Sequence, residues 1–564
     1  MPNTAILAPD NAPSTIRLGR MAWPALAVLL SLATALPVLV VSSNLLLFQG
    51  DLWSHLADTV LTGYIVNSIL LLLGVSLCVI VGGVGTAWLV TMCRFPGSRW
   101  LEWAQLLPMA MPAYVVAYAY TWLFDYAGPV QTVLRAAFGW TSARDYWFFE
   151  MRSLEGAIIV MSLVLYPYVF LLARAAFLEQ SVCVLEASRT LGQSPWRAFF
   201  RVALPLARPA IAAGTALALM ETLNDFGTVH YFAVDTFTTG IYRTWLGMGQ
   251  PQAAGQLGAL LMLFIVALLL LERFSRGQAR HHHTTGRYRN LPRVELAPLP
   301  AFLALAFCGF AVLLGFLLPG GVLLAMAYET YGFEIPLDFL ELAGNSMVLA
   351  ALTGGLAVLL AIILGYAQRL HPTRLVKSCV RLSALGYAVP GSVIAVGTLV
   401  PLTFLDKTLA AFLDERFGIV LSGLLITGSI AALIYAYCVR FLAISVQTVE
   451  ASLSKVTPSI EAAASTLGLG ALKRLVRVHM PMIRGSLLTA ALLVFVDVMK
   501  ELPATMIMRP FNFDTLATRV FTLASDERLA EASLPALVIV AAGLIPVILL
   551  SRAIATSRPG GESA

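Results

Sequence analysis

MAWPALAVLLSLATALPVLVVSSNLLLFQG, residues 21–50, carries no charged side chain from end to end. A helix rises about 1.5 Å per residue, so about 20 apolar residues cross about 30 Å of hydrocarbon, and this run is long enough. It follows Arg17 and Arg20 and outlasts a signal-peptide core, so it is expected to stay as a first span. Similar runs start near Val60, Leu257, Pro298 and Leu534. The 564 residues are 59% hydrophobic and 12% charged, with mean hydropathy +0.82, whereas a soluble chain carries about 25% charge. A membrane barrel would show short alternating strands instead. The sequence therefore reads as an all-α polytopic membrane protein.

Apolar runs between charged or Pro/Gly-rich breaks place spans near 21–45, 60–92, 104–124, 154–178, 208–230 and 255–272. A second set follows near 299–326, 342–368, 383–405, 418–440, 486–507 and 533–551, about 12 in all. The corresponding division is an N-terminal segment 1–20, a first span and outer loop 21–58, and a first transmembrane domain 60–272. A basic linker 273–298, a seventh span and outer loop 299–341, a second transmembrane domain 342–551 and a tail 552–564 complete it. With both termini cytoplasmic, most of the 37 Lys and Arg fall inside and more than half of the 31 Asp and Glu fall outside. The linker, with six arginines between Arg273 and Arg293 and the triplet His281–His283, then becomes a solvated inner tether rather than a metal site. The six cysteines avoid large outer loops, so no disulfide is expected. The +6 charge is spread by topology, which argues against nucleic acid as a partner.

The chain repeats itself. Glu186-Ala187-Ser188-Arg189-Thr190-Leu191-Gly192, running on to Leu204-Pro205, returns 276 residues later as Ala462-Ala463-Ala464-Ser465-Thr466-Leu467-Gly468, running on to Met480-Pro481. Asn67-Ser68 matches Asn345-Ser346 and Pro112 matches Pro390, both at 278; Glu221 and Asp225 match Asp497 and Glu501 at 276. Six spans per half give a parallel repeat about an axis along the membrane normal, with a pore or cavity between the halves.

The first polar copy reads as an elbow. Residues 186–191 form a helix, Gly192 permits a sharp turn, and Ser194-Pro195 starts a second short helix. Pro205 is expected to end that helix before the next span. An interfacial helix on lipid headgroups would explain one such segment. Two copies at matching positions favour a shared protein partner.

These residues resemble a known family. Glu-Ala-Ala, three residues, Gly, about a dozen residues and Leu-Pro looks like the coupling loop of binding-protein-dependent ABC importer permeases of type I. The first copy matches at Glu186, Ala187, Gly192, Leu204 and Pro205; the second at Ala463, Gly468 and Pro481, with Glu461 shifted by one place. The resemblance implies docking on a cytoplasmic ABC ATPase, two copies of it, through two unequal sites. None of the five lysines follows a glycine, so no Gly-Lys-Ser/Thr phosphate loop is possible. ATP is thus expected to be used by the partner subunit, with no cofactor bound by this chain and no catalytic residues in it.

Glu221, Asn224 and Asp225 in the fifth span, and Asp497, Lys500 and Glu501 in the eleventh, are spaced to share a helix face. Charges at that depth are costly unless paired or facing water, so these six are candidates for a translocation pathway. The plainer alternative is helix packing, with Lys500 neutralising Asp497. Carboxylates suit hard cargo, and transient metal contact at Glu221, Asp225, Asp497 and Glu501 is conceivable. Phe495–Ala504, Arg509–Arg519 and Glu221–Gly227 are similar to permeases of bacterial ferric-iron importers. That resemblance implies a bacterial inner-membrane channel fed Fe(III) by a periplasmic binding protein, docking on loops such as 231–254 and 508–532. Thiamine, polyamine and phosphonate importers have related permeases. An ion-gradient-driven secondary transporter would explain the buried charges but not the paired elbows.

Overall fold

The computed structural model describes residues 14–46, 54–179, 195–276, 293–332, 334–420 and 423–556. Eleven helices are long and apolar enough to cross a membrane, and a helix pair bent by 92° makes a twelfth. In chain order they are α1 (Ala22–Ser43), α2 (Ser54–Met92), the bent α3 (Ser98–Ala110 with Ala113–Phe138), α4 (Leu154–Leu178), α5 (Phe199–Asn224) and α6 (Pro251–Ser275). The second set is α7 (Pro298–Tyr331), α8 (Leu337–Leu370), α9 (Gly391–Phe417), α10 (Ile430–Leu453), α11 (Ala471–Met499) and α12 (Leu529–Leu549). Among these, α4 and α10 are the most enclosed, 61% and 67% buried, and they stand 276 residues apart. Each half is thus built around its own fourth span, while α2 turns Leu73, Leu77 and Val81 outward to lipid.

The leading span of each half crosses to the other. Trp23 of α1 packs edge-on against Tyr366 of α8 at 5.1 Å, and Tyr435 of α10 donates to the Ala33 carbonyl. Reciprocally, Tyr120 of α3 donates to Leu314 O of α7 at 2.7 Å, and Gln105 donates to Cys308 O at 2.9 Å. After the linker, whose His281–His283 lie outside the described residues, Val294–Glu295 pairs in parallel with Cys93–Arg94.

The third span, expected at 104–124, is the bent pair running over 98–138, and four other spans depart at a charge or a proline. The spans expected at 383–405 and 418–440 are the helices Gly391–Phe417 and Ile430–Leu453, which begin later and run on through Asp406 and Arg440. Asp406 is stabilised in place by Ile426 N–H at 2.9 Å, Thr427 N–H at 2.8 Å and the Thr427 hydroxyl. The fifth and eleventh spans begin earlier than expected because Pro205 and Pro481 terminate nothing. Each is preceded by one wide turn, Phe199–Ala203 and Leu475–His479, closed by Leu204 N–H to Phe199 O and Met480 N–H to Leu475 O. A proline ring clashes with the carbonyl four residues back, and widening one turn relieves that clash without breaking the rod.

Candidate functional site

Both acid-bearing spans stop within the protein. α5 ends at Asn224 and α11 at Met499, so Asp225 and Glu501 lie in the breaks rather than on a shared helix face, correcting the sequence expectation. A short helix follows each break, Gly227–Tyr231 and Pro503–Met508, and the carboxylate caps it. Asp225 accepts from Thr228 N–H at 2.9 Å, the Thr228 hydroxyl at 3.0 Å and Val229 N–H at 3.2 Å. Glu501 accepts from Ala504 N–H at 2.9 Å, Thr505 N–H at 3.0 Å and the Thr505 hydroxyl at 2.6 Å. A carboxylate suits this place because the first N–H groups of a helix have no partner of their own.

The repeated asparagines hold the next segment. Asn67 donates to Asp235 O at 2.9 Å and Asn345 to Asp514 O at 3.2 Å. Capping boxes at Thr236/Thr239 and Thr515/Thr518 then start Phe237–Tyr242 and Leu516–Ser525. The Asn-Ser signal was visible in sequence; its task, pinning a returning loop, was not.

Between the halves lies a cavity of about 140 Å³ lined by Glu221, Asn224, Asp225, Asp497, Lys500 and Glu501, together with Tyr168, Tyr387 and Arg440. Sequence reasoning missed Arg440. Its guanidinium meets Glu501 Oε1 at 2.8 Å, with the two side chains 11% and 1% exposed. Lys500 Nζ meets Asp497 Oδ1 at 2.9 Å. At the repeat offset, Arg440 and Lys500 correspond to Val164 and Asn224, so both cations belong to the second half. Among the described residues, the first-half wall therefore carries Glu221 and Asp225 without a cation of its own, and Glu221 lies within electrostatic range of Lys500 and Arg440 and of the carboxylate of Asp497. A lone arginine inside an otherwise uncharged run, 430–449, was the signal that could have found Arg440.

Gly391 makes room for the Arg440–Glu501 pair. A Cβ there would lie 2.5 Å from Glu501 Oε1 and closer still to Arg440. Gly391→Ala is therefore expected to displace the pair and lower the unfolding midpoint, by less than the loss of one partner, which costs about 3–5 kcal/mol. Thermal unfolding in detergent measures this, and a midpoint within about 1 °C of the parent would contradict it.

Of the elbow residues, Glu186, Ala187 and Gly192 lie outside the described residues, and Leu204 and Pro205 sit inside the continuous α5 rod. The second elbow is described. Its helix Pro458–Thr466 carries Glu461 and Ala463, Gly468 turns at φ +75°, and α11 continues through Pro481. Glu461 is engaged within the chain by Arg369 Nε at 2.6 Å, and the buried His479 Nε2 lies 3.1 Å from it without a hydrogen bond. Arg369 also donates to Val456 O at 2.6 Å and to Leu453 O. At the repeat offsets Arg369 corresponds to Thr91 or Cys93 and His479 to Ala203, so the first half lacks the residues for this clamp.

Residues 79–277 match the family described as "Binding-protein-dependent transport system inner membrane component". The chain is 31% identical over 201 residues to the molybdenum transport system permease protein ModB of Escherichia coli, covering 84% of that protein and 34% of this chain. This chain belongs to that permease family. The permease is also 27% identical to the Fe(3+)-transport system permease protein FbpB 2 of Haemophilus influenzae, across 86% of its own length and 89% of the relative's. It is 24% identical to the ferric transport system permease protein FbpB of Actinobacillus pleuropneumoniae, across 76% of its own length and 60% of that relative. As an all-α, multi-pass inner-membrane permease of an ABC importer, it is a transporter component, and its transport is of the binding-protein-dependent kind.

Proposed function

We propose that this permease imports Fe(III), received from a periplasmic binding protein and driven by two copies of a cytoplasmic ATPase, with both termini cytoplasmic. The observation that carries the cargo reading is the cavity: four carboxylates against two cations, with the unbalanced pair on the first-half wall. Hard, oxygen-rich and net acidic surroundings suit a trivalent cation. The likeness to ferric permeases over most of the chain supports the same cargo. The likeness to a molybdenum permease raises an oxyanion as a second reading, and an acidic wall opposes it.

ATP hydrolysis takes place on the partner in this reading, and closure of the ATPase pair pushes the two elbows. The halves rock, the side bearing loops 231–254 and 508–532 opens to the loaded binding protein, and the ion drops onto Glu221 and Asp497. Asp225 and Glu501 have a different share, since they hold the short helices that shape the floor. Glu221→Gln, which leaves the Lys500–Asp497 pair intact, is expected to lower Fe(III) uptake at least tenfold while complex yield is retained. Asp225→Asn or Glu501→Gln is expected to lower yield as well. Uptake into proteoliposomes holding the permease, ATPase and binding protein measures the first and the amount of purified complex the second; undiminished uptake in Glu221→Gln refutes the lining role.

A further inference from the structure

One face of α3 leads away from the cavity. Tyr114 lines it, and Tyr118 and Thr121 follow at i+4 and i+7, on the same side of the helix. At 1.5 Å per residue they climb about 10 Å toward the side opposite the elbows. Tyr231, from the short helix after Asp225, closes on Tyr118 edge-to-face at 4.5 Å. All four side chains are at least nine-tenths buried. Among the described residues, none of their hydroxyls has a hydrogen-bond partner; those of Thr121 and Tyr231 approach each other without meeting hydrogen-bond geometry.

Buried hydroxyls are normally satisfied, and four unsatisfied together are unfavourable for the fold. Packing does not require three of them. At the repeat offsets the second half places Val396, Leu399 and Ile507 where the first has Tyr118, Thr121 and Tyr231, while Tyr114 corresponds to Ser392, another buried hydroxyl without a hydrogen-bond partner. At the top of this face Arg152 lies over the Tyr231 ring at 5.1 Å. It also reaches Glu527 Oε1 at 3.2 Å and Asp125 Oδ2 at 3.9 Å. Arg152 and Asp125 belong to the first half and Glu527 to the second, so this cluster joins the halves at the far side.

We propose that the hydroxyl face of Tyr114, Tyr118, Thr121 and Tyr231 is the outer portion of the translocation route for a hard cation, closed over by the Arg152 latch to Glu527. When the halves part, Arg152 stays with Asp125 and releases Glu527, which leaves one unpaired carboxylate at the mouth. The tyrosine and threonine oxygens then replace part of the ion's hydration shell on its way to Glu221. Hydroxyl and phenol oxygens are the ligand class a hard, highly charged ion prefers. The proposal rests on the Fe(III) reading above.

The test uses the full permease with its ATPase and binding protein in proteoliposomes, and Fe(III) as the probe. Tyr114→Phe with Tyr118→Phe keeps the rings and removes only unpartnered hydroxyls. Uptake should fall at least tenfold while the unfolding midpoint is unchanged or higher. Uptake within twofold of the parent, or a midpoint lowered by several degrees, would falsify the proposal: the first denies a transport role, and the second makes the hydroxyls structural. Arg152→Gln should raise ATP turnover in the absence of binding protein at least threefold; unchanged turnover sinks the latch. A parent permease that carries no Fe(III) overturns the iron reading itself, whereas a parent that carries it as well as the double variant does overturns this proposal alone.

Discussion

Arg440→Ala should destabilise the permease by about 3–5 kcal/mol, enough to remove most of the folded protein from a membrane preparation. The reason is what it leaves behind. Glu501 has only 1% of its side chain exposed, and without the guanidinium its charge would face a small cavity already holding three other carboxylates. The three donors from Ala504 and Thr505 soften the loss but do not cancel a charge. Arg440→Ala combined with Glu501→Gln should therefore recover most of the stability, because a neutral amide still accepts from the short helix. Fluorescence-monitored melting of the two variants separates these outcomes. Equal instability in both would mean that Arg440 acts through packing along its stem rather than through charge.

The second large effect is expected on the opposite face. Arg369→Ala should reduce ATP-driven uptake at least tenfold while the ATPase still co-purifies. Arg369 ties three things together: Glu461 on the elbow helix, and the Leu453 and Val456 carbonyls at and just beyond the end of α10. Hydrogen bonds to a charged donor of this kind contribute about 1.5–3 kcal/mol each. Without them the elbow can still dock, but its displacement would no longer be passed to α10. The readout is the ratio of iron taken up to ATP hydrolysed. A ratio equal to the parent's would show that the clamp only stabilises the fold, and Arg369→Lys, which keeps the charge but loses the fork, should fall between.

Much of this architecture was legible in the chain because lipid imposes simple demands. Long uncharged runs had to be helices, and matching residues such as Asn67 and Asn345, or Asp225 and Glu501, had to occupy matching places. What misled was treating each charge or proline as punctuation. Asp406 and Arg440 were read as span ends because an unpaired charge is costly in a membrane, yet their partners, Thr427 and Glu501, lie 21 and 61 residues further along the chain. Pro205 looks like a stop because local rules cannot foresee a widened turn that accommodates the ring. The crossing of α1 and α7 onto opposite halves was equally invisible, since apolar spans look alike whichever neighbour they choose. The hydroxyl face of α3 went unnoticed for a related reason: tyrosines in an apolar helix read as filler until their oxygens are found without partners.

The widened turns at Phe199–Ala203 and Leu475–His479 have a mechanical meaning. Because neither proline severs its helix, α5 and α11 are continuous over about 39 and 43 Å, the form of push rods in the proposed cycle. Each begins at an elbow and finishes beside Asp225 or Glu501. A proline next to a loosened turn is a natural flexure, stiff along its length and compliant to bending. Thrust applied at one end thus arrives at the acidic floor as tilt, and the two rods need only tilt in opposite senses for the cavity to change the side it faces.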